Sequence, residues 1–265
     1  MFEIIGERIN TSRKLVQAAV AERNADYIID DVKKQQEAGA AYIDVNAGAR
    51  IGHEAEDMKW LLEIIQPFAT VPLTLDSPDP EILEMAFKMV KKTPMINSIS
   101  LEKERFDSMM PFLEGKKCKI IALCMDDTGM PASSMNIADR AKRLVESLNE
   151  IGIPTASIYM DPLVQPISTD TNKGIMVLDA VRFIKNQFPE IHITGGLSNI
   201  SYGLPQRRII NRTFVAMMME AGMDSAIIDP LDTDIMATIR TADMLLGNDE
   251  FCMNFLKSVR SGIIK

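Results

Sequence analysis

The chain has 265 residues, 46% hydrophobic and 25% charged, with a formal net charge of -8 and a pI near 5.0. Such a length buries a sizeable core without disulfide staples and is close to the usual size of one α/β barrel. No Lys/Arg cluster supplies the basic face of a nucleic-acid binder, and no apolar run approaches a membrane span. Cys118, Cys124 and Cys252 have no paired spacing, and Met1-Phe2-Glu3 leads straight into a strand-like segment, so a reduced, cytoplasmic protein is expected. The 19 methionines read as flexible core filling.

Apolar β-type runs alternate with amphipathic helical stretches throughout. The first run is Glu3–Asn10, and a helix follows from about Asp26 to Gly39. The second run is Tyr42–Asn46, followed by a helix through Met58 to Ile65. The third is Val71–Asp76, and Pro80 opens the next helix near its first turn. The fourth is Met95–Ser98, with a helix beginning near Leu101. The fifth is Lys119–Met125, before a helix from about Ile137 to Ile151. The sixth is Ser157–Asp161, before a helix from about Lys173 to Phe188. The seventh is Ile191–Gly196, before a helix from about Ile209 to Ala221. The eighth is Ser225–Asp229, before a last long helix through Ile235 to Leu246. Short runs that are apolar on both faces predict strands covered on both faces, hence a parallel sheet. Eight strand–helix units in this length predict a closed (β/α)8 TIM barrel, one domain over 1–265. An open doubly wound sheet would usually carry a Gly-rich turn after its first strand, and Gly6-Glu7-Arg8 is not one.

Polar residues gather at the carboxyl ends of the predicted strands. Glu7 and Asn10 end the first, Asn46 the second, Asp76 the third and Asn97 the fourth. Asp126 and Asp127 follow the fifth, Asp161 ends the sixth, Ser198 and Asn199 follow the seventh, and Asp229 ends the eighth. A lone Asn or Asp there more often caps the next helix. Recurrence at nearly every strand end favours one shared pocket on the catalytic rim. The two histidines, His53 and His192, have no second ligand at metal spacing, so no metal is expected. Cys124 has no histidine placed to deprotonate it and reads as structural. No lysine at a strand end suggests Schiff-base chemistry. What remains suits hydrogen bonding to a flat, nitrogen-rich ring. Carboxylates such as Asp76 and Asp161 accept ring N–H groups, and the amides of Asn97 and Asn199 supply mixed donors and acceptors.

At these residues the chain resembles the methyltetrahydrofolate:corrinoid-protein methyltransferases of the pterin-binding superfamily, which also holds dihydropteroate synthase. The resemblance runs from Ile5-Gly6-Glu7-Arg8-Ile9-Asn10 through Asp44-Val45-Asn46, Leu75-Asp76-Ser77 and Met95-Ile96-Asn97-Ser98. It continues in Asp161-Pro162-Leu163, Gly196-Leu197-Ser198-Asn199, Ile210-Asn211-Arg212-Thr213-Phe214 and Gly222-Met223-Asp224-Ser225-Ala226-Ile227. It implies a (β/α)8 barrel, usually a homodimer, working in one-carbon metabolism. It implies that Asp76, Asn97 and Asp161 grip the pterin, that Gly196 and Ser198 contact its edge, and that Asn199 hydrogen-bonds near the methyl-bearing N5. It sets Arg207 at the pocket mouth and Ile227 on the ring face. Catalysis would rest on Asn199, supported by Asp161 and Asp76. The folate is then the substrate, as tetrahydrofolate or 5-methyltetrahydrofolate. The corrinoid cobalt would arrive on a separate protein, because no lower-ligand motif or spare length is present. A dihydropteroate synthase-like condensing enzyme fits less well, since Ser198-Asn199-Ile200 stands where a Ser-Arg-Lys element is expected. A non-catalytic folate-binding partner of a corrinoid protein is the remaining alternative.

Overall fold

A computed structural model describes residues 2–260 and 262–264. Eight parallel strands form one sheet: β1 Glu3–Asn10, β2 Tyr42–Asn46, β3 Leu73–Asp76, β4 Met95–Leu101, β5 Lys119–Asp126, β6 Ile158–Asp161, β7 His192–Ile193 and β8 Ser225–Ile228. Ten helices cover it among the described residues: α1 Lys14–Ala21, α2 Ala25–Glu37, α3 Glu54–Ile65, α4 Pro80–Met89, α5 Lys103–Leu113, α6 Ser134–Glu150, α7 Lys173–Gln187, α8 Arg207–Ala221, α9 Thr233–Leu245 and α10 Met253–Arg260. All eight predicted strands are present. The short helices α1 and α10 are additions to the expectation.

The spatial order is β7-β6-β5-β4-β3-β2-β1-β8, which wraps the sheet into a near-closed TIM-type barrel in a single α/β domain. The eighth joint differs from the other seven. Between β7 and β8 the Ile227 N–H donates to Gly195 O at 3.3 Å, the Ser225 hydroxyl donates to Ile193 O at 3.2 Å, and the Ile193 N–H donates to Asp224 Oδ1 at 2.8 Å. The predicted seventh strand, Ile191–Gly196, shrinks to two residues for a steric reason. Gly195 lies at φ 150°, and a Cβ there would stand 2.8 Å from Asp161 Oδ1. The chain therefore leaves the ladder to pass close over Asp161.

Two apolar layers follow from strand alternation. Outward residues such as Ile4, Ile43, Leu75, Ile96 and Ile120 pack against the helices and are fully or nearly fully buried. Inward residues Ile5, Tyr42, Met95, Ile121 and Tyr159 fill the barrel, with Leu123 and Ile227 packed above them. The amino end is sealed by a polar and aromatic floor. Lys119 Nζ donates to the Tyr159 hydroxyl at 2.6 Å, and that hydroxyl donates to Glu3. His192 stacks on Tyr159 with ring centroids 4.5 Å apart and meets Asp224 at 3.0 Å. His192, the first residue of β7, thus belongs to the floor. The helix starts are capped where the sequence offers short polar residues: Asn24 for α2, Asp79 for α4, Ser133 for α6 and Asp232 for α9.

Candidate active site

Residues Tyr42, Asp44 and Asn46 of β2 face the barrel interior in turn, and the last two rise toward its carboxyl rim. Asn46 is in register with Asp76, and Asp76 with Asn97, so three polar side chains stand side by side on β2, β3 and β4. The Asn46 amide donates to Asp76 Oδ2 at 2.8 Å. Asn97 stands over Asp44, which sits one layer deeper, and favours its charged form. Asp161 of β6 lies across the mouth, beside Leu123 of β5 in the ladder.

Burial dominates the electrostatics here. Asp161 is 8% exposed, and burial pushes its pKa up to about 6, against the opposing pull of the Leu163 N–H that donates to Oδ1 at 2.8 Å. Burial also raises Asp76, with Asn46 and Arg105 lowering it and Glu54 raising it. Asp44 is pushed well above the usual carboxylate range, first by burial and then by Asp76; Asn97 opposes this and Glu7 adds to it. Glu7 is raised by burial and by Asp229, against Arg13 and Arg8. A rim that holds several carboxylates poorly solvated favours a ligand rich in N–H donors.

Asp44 was overlooked by sequence reasoning, although its alternation with Tyr42 and Asn46 could have marked it as inward-facing. Its Oδ1 is buried with no partner among the described residues, and the same holds for Thr74 Oγ1 beside it on β3. Buried polar atoms of this kind usually serve a ligand or bridging water, which fits a hydrogen-bonding ring above them.

Gly196, Ser198 and Asn199 lie in and just before a 3-10 turn, Leu197–Ser201. Ser198 and Asn199 are exposed at the rim; the Asn199 main chain is tied into the turn, its N–H donating to Gly196 O at 3.3 Å, and no described residue hydrogen-bonds its side-chain amide. Arg207, the first residue of α8, is engaged by the protein itself. Its Nε donates to Ser201 Oγ at 2.9 Å and its Nη2 to Ser198 O at 2.8 Å, so it clamps the turn that carries Asn199. Ile227 points into the barrel beneath the mouth.

Other rim polars have structural partners. Asn10 Oδ1 accepts from Ser12 N at 2.9 Å as a turn former. Asp126 is tied to Arg140 at 2.6 Å and to Thr128, and Asp127 accepts from Lys103 N at 3.1 Å. Asp229 joins Arg8 at 2.7 Å and Arg13 at 3.3 Å. Arg8 also grips Asp31 of α2 at 2.8 Å, bracing the β1 and β8 ends. Cys124 is fully buried, and burial holds its thiol far above the range in which a thiolate forms. Among the described residues no group of three or more His, Cys, Asp or Glu side chains is placed to hold a metal ion. No helix among them is long and apolar enough to cross a membrane.

The family model for pterin binding enzymes matches residues 6–229. The chain is 38% identical over 263 residues to the methylcorrinoid:tetrahydrofolate methyltransferase of Eubacterium limosum, covering 98% of this chain and 97% of that one. It is 30% identical over 241 residues to the methionine synthase of Mycobacterium tuberculosis, covering 85% of this chain but 20% of that protein, so it spans about a fifth of the larger enzyme. In three dimensions it matches a dihydropteroate synthase of Clostridium difficile, solved in the presence of pteroic acid, with a TM-score of 0.70, 18% identity, and 92% of this chain and 96% of that chain covered. At that identity the likeness speaks for the fold.

Proposed function

This chain belongs to the pterin-binding enzyme family and is a homologue of methylcorrinoid:tetrahydrofolate methyltransferase; from that premise we propose that it moves a methyl group between N5 of tetrahydrofolate and the cobalt of a corrinoid held by a separate protein. The observation that carries this reading is the near end-to-end correspondence with the Eubacterium limosum enzyme, 98% of one chain against 97% of the other. We read 1–265 as one domain devoted to that task. The folate is the substrate, no metal is bound by this chain, and the corrinoid supplies the cobalt that takes or gives the methyl group.

The residues divide the work by chemistry. As carboxylates, Asp76 and Asp161 accept N–H groups of the pterin, and Asn97 supplies the mixed amide pattern beside them. The backbone of Gly196 and the hydroxyl of Ser198 bound the ring edge, and Ile227 packs against its face. Asn199, exposed at the mouth, meets N5. Its amide presents either a donor or an acceptor, so it follows the charge that develops on N5 as the methyl departs. An amide does not deliver a proton on pKa grounds. Any proton for N5 must come from water or an extended network rather than from Asn199 itself. Arg207 acts on Asn199 through the turn it clamps.

A homodimer is part of the reading. Ile175 of α7 and Ile209 and Met217 of α8 are exposed and help line an apolar cavity of about 380 Å³. The cytoplasm is the proposed compartment. The deciding experiment is a spectrophotometric assay with 5-methyltetrahydrofolate and free Co(I) cobalamin. Methyl transfer by the wild type and a strong fall in Asn199→Ala are expected. Tight folate binding with no transfer would leave only a binding role, and no folate binding would end the pterin reading.

A further inference from the structure

Arg105 is the third residue of α5, the helix that follows β4. An arginine on the outer helical layer is ordinarily a solvated cation. This one turns inward and is more than half buried, and burial is the main influence on its pKa, which it lowers. Its Nε and Nη2 donate to Ser98 O at 2.9 and 2.5 Å, Nη2 donates also to Ser77 O at 3.1 Å, and Nη1 donates to Pro78 O. Ser98 is the residue after Asn97, and Ser77 and Pro78 are the two residues after Asp76. One guanidinium therefore joins the main chain leaving β3 to the main chain leaving β4. Its planar fork holds those three carbonyls in one fixed geometry, whereas a lysine would offer its donors from a single nitrogen on a flexible stem. No carboxylate hydrogen-bonds it among the described residues; Asp76, Asp79 and Glu102 act on it through space.

We propose that Arg105 is the positioning residue for the Asp76–Asn97 pair: by cross-linking the two strand exits it fixes the spacing at which those side chains meet a pterin. The inference rests on the pterin reading and adds a residue to it. A second consequence follows from the charge. Asp76 faces Asn46 and Asp44 from β2, Glu54 from α3 and Arg105 from α5. Arg105 is the cation in that set, and it offsets part of the burial that disfavours the Asp76 carboxylate. Removing it raises the pH at which Asp76 loses its proton.

The test is calorimetric binding of 5-methyltetrahydrofolate to wild type, R105K and R105Q from pH 5.5 to 8, with thermal melts to establish folding. Both variants are expected to bind about tenfold more weakly at pH 8, because neither keeps the fork. In R105Q the acid limb of the binding profile moves to higher pH, whereas in R105K, which keeps the charge, it stays with the wild type. In the cobalamin assay the rise in KM exceeds the fall in kcat for R105K. A purely structural arginine would leave the pH profiles of the two variants superimposable. R105K binding within about twofold of the wild type would overturn the cross-link, and this arm decides the matter even where R105Q does not fold. No binding by the wild type would sink the pterin reading and this proposal with it, whereas wild-type binding with R105K unaltered would sink this proposal alone.

Discussion

Asp161 is placed to make the protein less stable and better at binding. Burial lifts its pKa from 3.8 to about 6. In the folded state it holds a proton that the unfolded chain has released, across the window between those two values. Stability therefore declines as pH rises through that window, and the full deficit is present above pH 6. At about 1.4 kcal/mol per pH unit, the buried carboxylate costs the folded state about 3 kcal/mol near neutrality. Asp161→Asn keeps an oxygen for the Leu163 N–H and removes the charge. Its Tm at pH 7.5 is expected to rise by about 6 °C, with a flatter dependence on pH between 4 and 6, on a scale of about 2 °C per kcal/mol for a domain of this size. The same change removes a charge-assisted contact to a pterin N–H, worth roughly 1.5–3 kcal/mol, so folate affinity falls about 10- to 100-fold. Proton uptake by Asp161 weakens wild-type binding by about tenfold from pH 8 to pH 5, and proton uptake by Asp76 adds to that acid limb. Differential scanning fluorimetry and calorimetry across pH 5–8 read both effects. A lower Tm in the variant, or an unaltered folate Kd, refutes the reasoning.

Asn199→Ala is expected to lower methyl transfer to free Co(I) cobalamin by about 100-fold while Tm moves by less than about 2 °C, since no described residue hydrogen-bonds that amide; transfer at the wild-type rate removes Asn199 from the chemistry. Gly195→Ala, with φ 150° and a new Cβ 2.8 Å from Asp161 Oδ1, is expected to lose about 1–3 kcal/mol of stability and to displace Asp161, and a denaturant melt together with folate titration checks both. Tyr159→Phe deletes the hydroxyl that links Lys119 to Glu3 in the barrel floor. A loss of about 1–3 kcal/mol with folate affinity intact is expected, and a matching loss of affinity would show that floor and rim are coupled.

The strands were legible as short runs that are apolar on both faces until their carboxyl ends, a pattern that parallel barrels impose. Helices α1 and α10 were not. Arg13 precedes α1 without any side-chain cap, and α10 follows Phe251 and Cys252, both at positive φ, so neither start carries the usual signature. The end of β7 was overdrawn because the run Ile191–Gly196 does not disclose that Gly195 must clear a carboxylate on the neighbouring strand. At the rim, residue type alone could not separate ring-facing groups from turn formers. Asp126 and Asp76 look alike in sequence; Arg140 claims the first, and Asn46 aligns the second. The arginines show the same limit. Arg105 drew no reading from the sequence and Arg207 was expected only at the pocket mouth, yet both hold main-chain carbonyls beside the site, a role that depends entirely on tertiary approach.

The sealed floor also governs traffic. With Tyr42, Ile121 and Tyr159 filling the barrel and Lys119, Glu3 and His192 bridging its base, the described residues leave the carboxyl-end mouth as the way to the rim. Two reactants sharing one doorway must queue. On the proposed reaction the folate settles first and the corrinoid carrier lands on top of it, so the spent folate stays trapped until the carrier lifts away. For that reaction, sequence of arrival and departure would follow from the architecture rather than from any one side chain.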